Sequence, residues 1–297
     1  MPTSSPGPLG DALDDPVDLR RRMEATLARY NSIGQELVVD PLATFGRDHD
    51  RSDVWDANFV RSVRASNPDE IEQLLVRIEE VYDGLTHRQV RIDLDTPDPF
   101  EARLALDGWR FDLTLQHLLV GELADPGPPT PGLRIDPVVD ERDWDDLLRV
   151  TRLDHLEEAV KGRREPWPEE LTRHMVGHKR RKAPEVQPWL ARVDGAAVGM
   201  FSSMPGVDGV GLVEDLFVAQ DVRGRGIAQA LIVHATADAR SRGAGPVIIG
   251  SLVDDWPKLL YARMGFRPVF VERSWDLDRP ADDAVHDPDD PPETGPS

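Results

Sequence analysis

Val218-Ala219-Gln220-Asp221-Val222-Arg223-Gly224-Arg225-Gly226-Ile227-Ala228 is the stretch on which the fold turns. It joins an apolar run, Gly211 to Val218, that predicts a strand to a segment, Gly226 to Ser241, in which Ile227, Leu231, Ala235 and Ala239 recur at helical spacing. Its glycines let the backbone turn tightly and approach a bulky ligand closely. Amides at the start of a helix have no intrahelical partner, so they point into such a turn and favour an anion there. Arg223 and Arg225 add positive charge. No Gly-Lys-Ser/Thr ending follows, which excludes a P-loop, and the glycine spacing is not that of a dinucleotide fingerprint. Two readings share these residues: a phosphate-holding turn, and a solvated turn with a glycine cap.

Downstream, Pro246 to Gly250 predicts a short strand, Pro257 to Met264 a helix stopped by Gly265, and Phe266 to Trp275 a last strand or pair of strands. Upstream, Asp194-Gly195 is a hairpin dipeptide between Pro188 to Val193 and Ala196 to Ser203. Leu133 to Val138 reads as a strand. Asp140 and Asp143 form a cap pattern ahead of Trp144, Leu147, Leu148 and Thr151, and Trp167 to Lys179 is a second helix. Residues 123–132 hold four prolines and two glycines, which neither a helix nor an interior strand tolerates, so the expected domain boundary falls there.

The first half is plainer. Helices are predicted over Val17 to Tyr30, over Asp69 to Asp83 (capped by Ser66 or Asn67, with Pro68 in the first turn), and over Phe100 to Leu106. Strands are predicted over Phe59 to Val63, Gln89 to Leu94 and Trp109 to Val120, and no periodicity marks the residues between Tyr30 and Trp55. Phe100 to Phe111 echoes Lys258 to Val269: short helix, glycine stop, aromatic residue, strand. Strand, long helix and strand precede each copy, so a duplicated fold is expected.

With both motifs in view, the chain resembles the GNAT superfamily of N-acyltransferases. Arg223-Gly224-Arg225-Gly226-Ile227-Ala228 matches that family's Arg/Gln-x-x-Gly-x-Gly/Ala signature, and Leu260-Tyr261-Ala262-Arg263-Met264-Gly265-Phe266 matches its later helix–Gly-Phe signature. The resemblance covers about Leu133 to Trp275. The first half looks like a degenerate copy, in which Ala65-Ser66-Asn67-Pro68 replaces the arginine–glycine loop, and no working CoA site is expected in it. The tandem arrangement is similar to that of mycothiol synthases in architecture alone. The implied fold is α/β (α+β): a duplicated, mixed but mostly antiparallel twisted sheet with helices on both faces. The implied organisation is a flexible leader over residues 1–16, a degenerate lobe over 17–122, a linker over 123–132, a catalytic lobe over 133–275 and a disordered acidic tail over 276–297.

The resemblance further implies acetyl-CoA as cofactor, with CoA as product and an amine as acceptor. The strands of Gly211 to Val218 and Pro246 to Gly250 would splay, the pantetheine arm would pair near Phe217 and Val218, and the pyrophosphate would sit over Arg223 to Ala228. Glu214 is the expected general base and Tyr261 the expected acid for the departing sulfur; a phenol keeps its proton at neutral pH. In a regular strand Asp215 would face away from Glu214, and a bulge would reverse that choice. Asp254 stands where the family often has an asparagine that orients the cofactor, and an aspartate lacks the amide's donors. Pro257 replaces a frequent alanine. Asp255 and Trp256 are candidates for the channel, and Glu157, Glu158 and Trp167 for the acceptor wall. Active transfer to a small amine is the leading function. A catalytically weak acyl-CoA-binding module and a protein or peptide N-acetyltransferase are the alternatives.

Composition bounds these readings. There is no cysteine, hence no disulfide, thiolate nucleophile or cysteine metal site. His174 and His178 are four apart without further ligands, so no metal is expected. A formal charge of −20 disfavours nucleic acid and anionic membrane as partners, in spite of the basic pairs at Arg163-Arg164 and Lys179 to Lys182. No apolar run approaches a membrane span and no secretory leader is evident, so a cytoplasmic monomer or homodimer is expected.

Overall fold

A computed structural model describes residues 15–278 except 126, 128, 129, 163, 164 and 184. The expected leader, apart from residues 15 and 16, therefore lies outside the described residues, as do Arg163-Arg164 and the tail beyond residue 278. Asp276 to Asp278, expected in that tail, are instead the last residues of a strand.

In chain order the elements are α1 (Pro16–Ser32), β1 (Glu36–Val39), β2 (Thr44–Arg47), a 3-10 turn (Trp55–Ala57), β3 (Phe59–Arg61), α2 (Pro68–Val81), β4 (His87–Ile92), α3 (Asp98–Leu106) and β5 (Arg110–Leu119). The second half has β6 (Leu133–Pro137), α4 (Glu141–Gly162), α5 (Glu169–Lys182), β7 (Gln187–Val193), β8 (Ala196–Val207), β9 (Val210–Val218), a 3-10 turn (Gln220–Val222), α6 (Ile227–Ser241), β10 (Val247–Leu252), α7 (Pro257–Met264) and β11 (Arg267–Asp278). None of the described helices is long and apolar enough to cross a membrane.

Local chemistry accounts for most of these limits. Asp194 and Gly195 both adopt positive φ, 50° and 87°, which a two-residue hairpin needs between β7 and β8. Gly265 ends α7 at φ 105°. Asn67 caps α2 by accepting from Glu70 N at 3.1 Å, and Glu70 reaches back to accept from Ser66 N at 2.9 Å. Two strands had no counterpart in the periodicity: β1 and β2 are four residues each, and β1 is mostly exposed, so neither carries an alternating pattern.

All the strands form one sheet in the order β1-β2-β3-β4-β11-β5-β10-β9-β8-β7-β6. Only β3–β4 and β9–β10 are parallel; every other pair is antiparallel. The expected mixed, mostly antiparallel and duplicated architecture is thus the observed one. The two halves exchange their final strands. β5 of the first half pairs with β10 of the second, β11 of the second pairs with β4 of the first, and β5 and β11 pair with each other from Arg267–Leu118 to Asp276–Arg110.

Helices cover both faces. α6 buries Leu231, Ala235 and Ala239 completely against β8 and β9; losing a leucine from such a site costs about 2–5 kcal/mol. On the opposite face α1 crosses from the first half to the second. Its Met23 is fully buried, in one cluster with Met204, Leu212 and Ile248, and Thr26 donates to Val210 O at 2.8 Å.

Candidate functional site

The parallel strands β9 and β10 are in register at Val247–Gly211, Ile248–Leu212 and Ile249–Val213, and their pairing stops there. From Glu214 onward β9 keeps β8 on one side and has no partner on the other. The cause is local. The β8–β9 register slips between Met200 and Ser202, and Asp215 adopts φ 67°. This β-bulge bends the strand away from its neighbour and suspends the in–out alternation.

The two carboxylates at the bulge have different surroundings. Asp215 pairs with Lys179 of α5 at 2.6 Å and accepts from Tyr30 of α1 at 3.2 Å. Burial opposes its ionisation, but the Lys179 ammonium outweighs burial and holds the carboxyl below its ordinary range. Glu214 has no such cation. Burial, then the charge of Asp215, push its pKa up to about 8. Room for its carboxylate exists because residue 250 is glycine: a Cβ there would lie 3.2 Å from Glu214 Oε1. Gln116 of β5 borders the same spot and donates to Glu272 Oε2 of β11 at 2.8 Å. Asp154 of α4 is raised to about 6 by burial, then by Glu158. A carboxyl titrating near neutral pH where two strands part suits proton abstraction.

Beyond the bulge a cavity of about 550 Å³ opens between α6 and α7. Leu216 and Val218 line it from β9, Arg223, Gly224 and Gly226 to Gln229 from the turn and α6, and Asp255 to Pro257, Leu260 and Tyr261 from α7 and its approach. The turn is built for an anion. Gly224 and Gly226 have φ 77° and 81°, and a Cβ on Gly224 would meet nothing within 4 Å. α6 has no side-chain cap and no acid in its first turn. Ala230 N closes the first backbone bond, to Gly226 O at 3.0 Å, which leaves the amides ahead of it to the cavity. The matching helix of the first half, α2, is filled by its own Asn67 and Glu70.

Of the sequence candidates, Val218, Arg223, Gly224, Gly226, Ile227, Ala228 and Tyr261 come together around this cavity. Phe217 lies in the core beneath Arg223, whose guanidinium is 5.7 Å from its ring. Arg225 is exposed outside the lining, and so is Asp254; Asp255 takes the position toward the cavity. Arg223 is already engaged: Nε donates to Val218 O at 2.7 Å and Nη2 to Glu157 at 2.5 Å. Glu157 therefore lies beside the Arg223 turn. Glu158 pairs with Lys161 at 2.6 Å, and Trp167 packs edge-on against His155.

His174 meets Asp53 at 2.8 Å, and His178, pushed down to about 3 by burial, faces Gln35. Lys179 to Lys182 are taken up by Asp215, Glu141, Asp48 and the face of Tyr30.

Tyr261 is 4% exposed, and burial, then the charge of Glu214, raise its pKa well above the ordinary value. It stays protonated and acts as a donor only. His117 of β5 meets it edge-on with centroids 5.7 Å apart and touches Ser251 Oγ at 3.0 Å. His117 and Gln116 were not singled out from sequence, and Lys179 was named only within a basic cluster. The first two arrive on a strand exchanged from the other half, which no local pattern records.

Residues 150–266 match the acetyltransferase (GNAT) family. Three solved structures share the fold. A GCN5-related N-acetyltransferase from Kribbella flavida is 16% identical, with 88% of this chain and 96% of that one covered at a TM-score of 0.62. A GCN5-related N-acetyltransferase from Sphaerobacter thermophilus is 21% identical, with 90% and 95% covered at 0.55. A tandem GNAT protein from the clavulanic acid biosynthesis pathway is 14% identical, with 80% and 78% covered at 0.53. No curated protein matches the chain. The second half carries a GNAT acetyltransferase domain, set in a duplicated GNAT-like architecture.

Proposed function

We propose, on the premise of an acetyltransferase domain over residues 150–266, that the chain transfers an acetyl group from acetyl-CoA to the primary amine of a small acceptor, both bound at once. The observation that carries this reading is the succession of three features along β9 and its turn: a strand parted at Glu214, a carboxyl of pKa about 8 at the parting, and, past the bulge, an uncapped helix start on the cavity that Leu216 and Val218 line.

The residues fit the cofactor. The amides at the start of α6 and Arg223 would hold the pyrophosphate, and the unpaired edge of β9 beyond Glu214 would receive the pantetheine arm. Arg223 Nε occupies Val218 O, so an arm that pairs there displaces it. Acetyl-CoA supplies an activated carbonyl and a thiolate leaving group. Glu214 would take one proton of the incoming ammonium, directly or through one water; the neutral amine would then attack, and the nitrogen would shed its second proton to water as the C–S bond breaks. Tyr261 donates a hydrogen bond to the departing sulfur. With its raised pKa it stabilises the thiolate better than it protonates it. Asp154 has no salt bridge among the described residues, and its carboxylate is the group that would meet a cationic acceptor.

The test is thiol release from acetyl-CoA across a panel of free amines and peptides. The wild type should turn over free amines. Glu214→Gln should lose about 10²–10⁴-fold in kcat, as expected for a missing general base. Tyr261→Phe should lose less, with CoA affinity unchanged. Equal rates in all three proteins refute the roles given to both residues. CoA binding without turnover on any amine leaves a binding module, and selectivity for peptides leaves a protein acetyltransferase.

A further inference from the structure

Leaving out the edge strand β6, the sheet order reads the same from either end once β1 is matched to β7, β2 to β8, β3 to β9, β4 to β10 and β5 to β11. This internal two-fold gives each feature of the catalytic parting a counterpart. In the second half, pairing ends at Val213–Ile249, and Glu214 and Asp215 follow, Asp215 at φ 67°. In the first half, β3 and β4 pair at Val60–Val90, and Arg61 and Ser62 follow, Ser62 at φ 52°. An arginine stands where the other half has its base.

Arg61 lines a separate cavity of about 240 Å³, walled by α1, the ends of β3 and β4, and Glu272 of β11. One water needs only ~10–15 Å³ of such space, so a small organic ligand fits. The other guanidiniums around it are paired, whereas Asp93, whose charge bears on Arg61, accepts only from neutral donors. Asp95 holds Arg21 at 2.8 Å, Arg20 holds Glu24 at 2.9 Å, Thr96 donates to Asp93 at 2.8 Å, and Arg91 pairs with Asp56 at 2.7 Å beside Glu272. Arg61 has no hydrogen-bond or ion-pair partner among the described residues, and its Nε is fully buried. Asn31, 7% exposed, lines the same cavity with its amide equally without a partner.

We propose that this cavity is a second binding site, for a small monocarboxylate held by the Arg61 guanidinium with the Asn31 amide as second donor. The planar fork of a guanidinium matches a carboxylate bidentately. Among the three lining guanidiniums only Arg61 has no hydrogen-bonded carboxylate among the described residues, so it has donors for one carboxylate, and the four lining carboxylates repel a dianion. Nothing in this half invites a nucleotide, since α2 caps itself.

The experiment titrates acetate, glycine and inorganic phosphate against the full chain at constant ionic strength, followed by amide NMR shifts. Saturable shifts around Arg61 and Asn31 with acetate or glycine are expected. Charge-assisted bonds of this kind are worth roughly 1.5–3 kcal/mol, so Arg61→Gln should weaken the binding at least about tenfold. Asn31→Asp, which puts a carboxylate against the ligand, should do the same, and it carries the test if Arg61→Gln does not fold. Both variants should keep wild-type affinity for CoA. No saturable response to either carboxylate, a response to phosphate alone, or undiminished binding in a folded variant overturns the proposal.

Discussion

With Glu214 as the base and its pKa near 8, the rate must climb with pH across the neutral range. At pH 7 about a tenth of Glu214 is ionised and at pH 9 about nine tenths, so kcat/KM should rise roughly tenfold between them. The acceptor amine also loses its proton on that side, so the assay has to separate the two groups. Thiol release is followed from pH 6 to 9.5 with several amines of different basicity. An inflection fixed near 8 for all of them belongs to the protein; one that moves with the amine refutes the assignment. Glu214→Gln should flatten the fixed inflection. Asp215→Asn removes the nearest negative charge and should move it toward acid, only part of the way, because burial is the larger cause. The same group makes a statement about stability. Its folded pKa is raised, so its contribution is present below the ordinary carboxyl range and is lost as pH rises through 8. The urea midpoint should fall between pH 7 and 9 in the wild type and fall less in Glu214→Gln.

Two further expectations follow from ion pairs. Glu157→Gln frees Arg223 from its carboxylate while an amide oxygen remains for Gln220 N, which lies 3.3 Å from Glu157 Oε1. Both side chains are partly exposed, so the pair is worth about 0.2–1 kcal/mol, and CoA should bind up to roughly fivefold tighter by calorimetry; unchanged or weaker binding means that Arg223 does not move to the phosphates. Arg192, 7% exposed, pairs with Asp143 at 2.8 Å and also with Asp136 and Asp146. Arg192→Met should destabilise the fold by about 3 kcal/mol in denaturant titration, because it leaves the buried Asp146 with only the exposed Arg149.

What was legible in the sequence was what neighbours in the chain decide. The hairpin at Asp194-Gly195, the cap at Asn67, the stop at Gly265 and the turn at Gly224 to Gly226 are each set by one or two residues, and each stands where the spacing placed it. α4 ran longer than its apolar pattern, because Leu153 and Val160 are exposed and broke the stripe. The bulge at Asp215 needs tertiary support: it is a non-glycine residue at positive φ, held by Lys179 and Tyr30 from two distant helices. Strand partners beyond the hairpin were not legible from the local pattern. Alternation says that Arg110 to Leu119 is a strand and is silent on whether it lies beside β4 or β10, so Gln116 and His117 gave no sign of their place.

The exchange of β5 and β11 determines what a minimal enzyme can be. Cutting the gene at the proline-rich segment would leave one fragment with β10 stripped of its neighbour and the other with β4 stripped likewise, each offering a raw edge to aggregation. Expressed together, such fragments should recombine by trading those edges, whereas neither alone should acetylate anything. The first half thus has a task away from the cavity: it supplies the wall against which β10 is set.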